Sequence, residues 1–221
     1  MAQRYHSVFD IIGPVMVGPS SSHTAGAARI GKVVQKIFGA TPAKVDIFLY
    51  ESFAKTYRGH GTDIALVGGL LGMDPADERL ADSIEIAKEL GIEINFIPTN
   101  EKAEHPNSVK LVVSTPEKSL SVVGISIGGG KIQISEVNGF KIQLEENQPT
   151  FLIVHQDVPG MIAQVSNILA EKAINIGTMT VSRESKGQQA IMMIEVDQYE
   201  VGETLAELKQ VEHIKQASFF K

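Results

Sequence analysis

The sequence predicts an α+β protein of two domains, with helices packed on a mixed or antiparallel sheet in residues 1–147 and a smaller unit in residues 148–221. Three observations carry that expectation. Some stretches place apolar residues at helical spacing and others alternate them at strand spacing. The whole pattern then restarts just after EENQP, residues 145–149.

Between Thr24 and Gly39 the chain changes from polar to periodic, and Ile30, Val33, Val34, Ile37 and Phe38 fall on one face of an amphipathic helix. Gly39 follows as a stop, and the serines before Thr24 sit where an N-cap belongs. AKVDIFLYES (43–52) reads as a strand. TDIALVGGLLG (62–72) reads as a helix with Ile64, Val67 and Leu71 on a common face. DERLADSIEIAKELG (77–91) reads as a longer one, with Leu80, Ile84, Ala87 and Leu90 in register and Gly91 as its C-cap. IEINFIP, VKLVVST, LSVVGISI and KIQISEV supply strands.

After the restart, FLIVHQ reads as a strand, VPG as a turn, and MIAQVSNILAEKA as a helix with Ile162, Val165 and Leu169 inward. IGTMTVSRE and QQAIMMIEVD form a hairpin around Lys186 and Gly187, followed by the short helix GETLAELKQ and the strand IKQASFF. That order, βαββαβ, is the ferredoxin-like unit.

The bulk numbers narrow the class of function. With 43% hydrophobic and 21% charged residues, the chain has the material for a packed core. A formal net charge of -6 argues against nucleic acid or an anionic membrane as a partner, because both reward basic patches. No apolar run approaches the roughly 18–20 residues of a membrane span, and MAQRYHSVFD lacks the apolar core of a secretory signal, so a cytoplasmic location is expected. There is no cysteine, which removes disulfides, thiol nucleophiles and thiolate metal sites. The six histidines show neither HxH nor HExxH spacing, so no metal site is expected within the chain.

Two polar helix starts stand out. In GPSSSHTAG (18–26), one serine would suffice as a cap; Ser20, Ser21, Ser22 and Thr24 around His23 point to an anion or carboxylate site at a helix N-terminus. RGHGTD (58–63) repeats the arrangement, with Gly59 and Gly61 flanking His60 before Thr62 and Asp63. There His60 could exchange a proton near neutral pH, with Thr62 as donor or carrier and Asp63 as orienter. GISIGGGKIQI (124–134) is followed by a strand pattern rather than a helix, so its glycines read as a hairpin and not as a phosphate loop. His155 reads as a structural residue of its strand. In HQDVPGM (155–161) the start of the helix either binds a small amino acid or makes a dimer contact.

On SVFDIIGPVMVGPSSSHTAGAARIGK, RGHGTDIALVGGLLG and GISIGGGKIQISEVNGF, the chain resembles the beta subunits of bacterial iron-sulfur-dependent L-serine dehydratases, also called L-serine ammonia-lyases, over nearly its whole length. The resemblance implies that the first domain is like the allosteric substrate-binding domain shared with some phosphoglycerate dehydrogenases and that the last is an ACT domain. It implies loss of water from L-serine to an aminoacrylate that hydrolyses to pyruvate and ammonia. A [4Fe-4S] cluster would serve as Lewis acid, its cysteine ligands supplied by a separate alpha subunit.

Carried over residue by residue, the resemblance implicates Ser20, Ser21, Ser22 and Thr24 in substrate binding, and His23, His60 and Thr62 in catalysis. In the ACT-like domain it implicates Asp157, Gly160 and Asn175 in effector binding. That domain departs from the serine-sensing pattern, however, in having Asp157 to Gly160 in its first turn and Asn175 only after the helix, so self-association stands beside effector binding as its role. Two readings remain: half of an enzyme, inactive alone, or a non-catalytic module that senses L-serine or another small anion. An independent hydrolase built on His23 and His60 lacks a nucleophile motif such as GxSxG.

Overall fold

The structure is a computed structural model that describes residues 14–145 and 148–220. Residues 7–13, which open the first of the resembling stretches, lie outside the described residues, as does His6. The chain forms two compact units, Met1–Asn138 and Gly139–Lys221. Asn138 and Gly139, on either side of that division, both have positive φ (50 and 84).

In the first unit, strands β1 (Lys44–Leu49), β2 (Glu93–Pro98), β3 (Ser108–Ser114), β4 (Ser119–Gly128) and β5 (Lys131–Val137) line up in the order β2-β1-β3-β4-β5. β1 and β2 are parallel and the other neighbours antiparallel, so the sheet is mixed. Val45, Ile47 and Leu49 are buried and alternate with half-buried residues, as a one-sided strand requires. The β4–β5 hairpin turns on Gly128, Gly129 and Gly130, all with positive φ, which is the role expected for that glycine run.

Helix α1 (Gly26–Phe38) buries Ile30, Val33, Val34, Ile37 and Phe38, and Gly39 ends it in the left-handed conformation with its N–H on the Gln35 carbonyl. Before it, Ser21–Ala25 forms a π-helical turn. α2 spans Glu51–Thr56, α3 Thr62–Leu70 and α4 Ser83–Glu89. Residues Ala65 to Leu70 of α3 are all buried, so the helix is enclosed on every side rather than packed by one apolar face. It crosses α1 at backbone contact: a Cβ on Gly31 would strike the Leu66 carbonyl oxygen, and one on Gly69 the Ala28 carbonyl oxygen.

Three expectations need correction here. The strand expected over 43–52 stops at Leu49, and the helix formers after it build α2. The single helix expected over 77–91 is a 3₁₀ turn, Glu78–Asp82, capped by Asp77 and then continued by α4. The change of period between the two rotates the face, so Leu80 is buried while Leu90 is 59% exposed. A further strand, β6 (Phe140–Glu145), was not expected, although FKIQLE after Asn-Gly has the alternation of a hairpin arm.

In the second unit, β7 (Thr150–Gln156), α5 (Met161–Glu171), β8 (Ile176–Arg183), β9 (Gln189–Val196), α6 (Thr204–Leu208) and β10 (Ile214–Phe220) follow the expected βαββαβ order. They make an antiparallel sheet ordered β10-β7-β9-β8. Phe151, Ile153, Met192, Ile194 and Ala217 meet Met161, Val165, Leu169 and Leu208 in its core. Ile162, expected inward, is 51% exposed. α5 starts at Met161, so the buried stripe runs 161, 165, 169 and turns Ile162 outward. Among the described residues no helix is long and apolar enough to cross a membrane.

The helix crossing sets a stability prediction. Gly69→Ala drives a methyl into the α1 backbone and destabilises the chain by about 1–3 kcal/mol or more. Gly59→Ala, whose nearest neighbour is an ordinary 3.8 Å away, stays within about 0.5 kcal/mol of the parent. Urea midpoints at unchanged m-value measure both; equal midpoints for the two variants would contradict the backbone contact.

Candidate functional site

The first polar helix start is held by its own serines. Ser20 has extended backbone angles and acts as the cap, its Oγ accepting the His23 N–H at 3.2 Å and its carbonyl accepting the Thr24 N–H at 2.8 Å. Ser20 Oγ and Ser22 Oγ lie 3.3 Å apart, and both reach His23 Nδ1, at 3.3 and 3.1 Å. The turn that follows is π-helical because the Gly26 N–H bonds the Ser21 carbonyl. Gly26 has no side chain to spare at that point, since a Cβ there would strike the Ser126 hydroxyl on β4.

The second start lies against the first. Gly61 takes a left-handed conformation (φ 67) as N-cap of α3, and Thr24 Oγ1 donates to the His60 carbonyl oxygen at 3.0 Å. The imidazoles of His23 and His60 meet edge to face, with centroids 4.9 Å apart and planes at 87°. Ser20, Ser22, His23, Thr24 and His60 are thus one cluster, and Ser21 stands in the same turn. Thr62 is fully buried, its Oγ1 without a hydrogen-bond partner among the described residues, whereas His60 is exposed. This separates the two proton-carrier candidates by access. Asp63, expected to orient His60, has its Oδ1 on the Ile64 N–H at 2.9 Å, and burial pushes its carboxyl up.

Sequence reasoning missed the other side of the cluster. Ser52 Oγ lies 3.1 Å from His23 Nε2, and the fully buried Phe53 ring sits edge-on to the same imidazole at 5.2 Å. Both come from α2, Ser52 as the last residue of the stretch read as strand and Phe53 just after it; the signal was the end of the β-branched run at Leu49, followed by ESFAKT. Ser126 was passed over within the glycine hairpin, yet its hydroxyl is buried without a partner among the described residues. Burial lowers the His23 pKa, and the neighbouring His60 lowers it further.

The second unit has a cavity of about 460 Å³ at the start of α5, lined by His155, Asp157, Pro159, Gly160, Ile162 and Val181 among others. Asp157 Oδ2 accepts the Gly187 N–H at 3.0 Å and faces Arg183 at 3.4 Å; the Gly187 hydrogen bond is the main cause holding its carboxyl below the usual range. His155 is buried as expected, its Nδ1–H donating to the Gln156 carbonyl at 2.7 Å, while its Nε2 has no partner among the described residues. Asn175 does not line this cavity. Its side-chain amide donates to Asp197 at 2.7 Å and its backbone N–H to Gln198 at 3.0 Å.

Comparison with known proteins matches residues 7–93 to the serine dehydratase beta chain family and residues 150–213 to the ACT domain family. The chain is 51% identical over 215 residues to a probable L-serine dehydratase beta chain of Bacillus subtilis, covering 97% of this chain and 98% of that one. It is 41% identical over 194 residues to the L-serine dehydratase beta chain of Peptoniphilus asaccharolyticus, covering 87% of each. A D-3-phosphoglycerate dehydrogenase of Bacillus subtilis is 29% identical over 188 residues, 85% of this chain but 36% of that protein.

The pair of imidazoles makes a pH prediction. His23 titrates below the ordinary histidine value of about 6.5. The unfolded chain therefore binds the proton more readily, and this residue's contribution to stability is full above the ordinary value and is lost as pH falls from there through the folded value. His60→Gln removes the neighbouring charge and moves the His23 midpoint part of the way back, since burial, the larger cause, remains. Imidazole proton NMR follows both; a His23 midpoint at or above the ordinary value would contradict the arrangement.

Proposed function

The chain belongs to the serine dehydratase beta chain family, and from that premise we propose that its first unit completes the active site of an L-serine ammonia-lyase on a separate alpha subunit. The observation that supports this reading is the meeting of the two polar helix starts in one imidazole-hydroxyl cluster, with His60 exposed at its edge. A cluster with one open side is what half of a composite site would present.

The family implies a [4Fe-4S] cluster, and this chain is not suited to hold one. It has no cysteine thiolate, and among the described residues no three acidic or histidine side chains group within reach of a metal. The cysteines belong to the alpha subunit in this reading, and so does the departure of the leaving group. What this chain contributes is the proton side of the elimination. L-serine loses its Cα proton to the imidazole of His60; the C–H electron pair becomes the Cα=Cβ bond as the Cβ–O bond breaks and hydroxide leaves on the alpha subunit's side. The aminoacrylate so formed then hydrolyses to pyruvate and ammonia.

His60 suits the proton-accepting role better than its neighbour. Both ring nitrogens of His23 face serine hydroxyls, and His23 is held neutral by burial and by His60. The hydroxyls of Ser20, Ser21 and Ser22 at a helix start favour the substrate carboxylate, because the helix dipole and donors there stabilise negative charge. In the second unit, the cavity beside Asp157 and Gly160 supports a regulatory role, in which a small amino acid enters it or a second copy covers it.

The purified chain alone is inactive on L-serine, and anaerobic mixing with its iron-sulfur alpha subunit produces ammonia and pyruvate. In the mixture, His60→Ala lowers kcat by roughly 10²–10⁴-fold while subunit assembly and the cluster's absorption spectrum persist. A change confined to the dependence on serine concentration would instead identify a sensing module. Turnover by the chain alone would refute the two-subunit reading.

A further inference from the structure

The chain holds one feature of the His23 environment unusually firmly, on the side supplied by α2. Glu51, which is not a glycine, has φ 39, a sparsely populated conformation that persists only where the surroundings determine it. The residue after it is pinned by the main chain twice: the Ser52 N–H donates to the Pro106 carbonyl at 3.0 Å, and the Ser52 carbonyl accepts the Thr56 hydroxyl at 2.7 Å. One residue before, the Tyr50 N–H donates to the Ser108 carbonyl at 3.2 Å. All of this converges on placing Ser52 Oγ at 3.1 Å from His23 Nε2, with Phe53 against the ring.

The hydrogen-bond balance of the ring then follows. Nδ1 has two hydroxyls converging on it, from Ser20 and Ser22. Ser20 Oγ also accepts the His23 backbone N–H. On the other side of the ring, the Ser52 hydroxyl is the hydrogen-bond partner at Nε2.

We infer that Ser52 is a positioning residue of the site: through its hydrogen bond to Nε2 it holds the His23 imidazole in one tautomer and one orientation, edge to face with His60. Nothing in this requires Ser52 to touch substrate. Its catalytic consequence rests on the function proposed above, but its structural core does not.

The test therefore has two arms. In the isolated full chain, ¹⁵N–¹H correlation of the imidazoles reads the His23 tautomer directly: a single tautomer in the parent and in Ser52→Thr, which keeps the hydroxyl, and a mixture of tautomers in Ser52→Ala. In the reconstituted enzyme, Ser52→Ala lowers kcat by roughly 10–100-fold with little change in KM, the size typical when a group that orients a functional histidine is lost. Ser52→Thr restores most of the loss. A His23 tautomer unchanged in Ser52→Ala, or a kcat loss that Ser52→Thr does not restore, overturns the inference. If the parent mixture fails to deaminate L-serine, the proposed function falls while the NMR arm still decides the role of Ser52.

Discussion

The first unit depends on a backbone contact. α1 and α3 cross where Gly31 meets the Leu66 carbonyl and Gly69 meets the Ala28 carbonyl, with no room for a single methyl at either point. The two helix starts also touch, the Thr24 hydroxyl donating to the His60 carbonyl. Separate the helices by the width of two alanine side chains and His23 and His60 would no longer meet edge to face. Residues that look remote from any chemistry therefore set the geometry of the groups that could perform it.

What the crossing assembles is an electrostatic asymmetry. Two identical side chains share a cluster, but one is enclosed by hydroxyls and an aromatic ring while the other reaches solvent. Burial and the neighbouring imidazole both disfavour a proton on His23. Neighbours with environments that push their protonation apart are a usual way to assign acid-base roles. The chain has no cysteine thiolate and, among the described residues, no acidic or histidine cluster to hold a metal. Family membership and this deficit point the same way, to a partner that supplies the other half.

Much of this was legible in the residues. The amphipathic spacing of Ile30 to Phe38, the serines before it and Gly39 after it located α1, and the restart after residue 148 located the βαββαβ unit. Two features hid. The start of α2 was read as the tail of a strand because Tyr50, Glu51 and Ser52 follow a β-branched run, and no local rule foresees a positive φ at a glutamate. Ser52 was lost with it. The burial of Thr62 was equally invisible, since a polar residue opening a helix ordinarily faces water; here the enclosure of α3 on every side decides the matter. In the second unit, one residue of phase in α5 exchanged Ile162 for Met161 in the core, the size of error that periodicity alone permits.

The central claim is that the two helix starts act as one site. A double-mutant cycle on kcat/KM in the reconstituted complex tests it most directly, using His23→Ala, His60→Ala and the pair. If the imidazoles work as a unit, the double variant loses little more than the worse single variant, because the first deletion already removes what the second would. If instead the two losses multiply, the histidines act independently, and the cluster seen here is an accident of packing rather than the site.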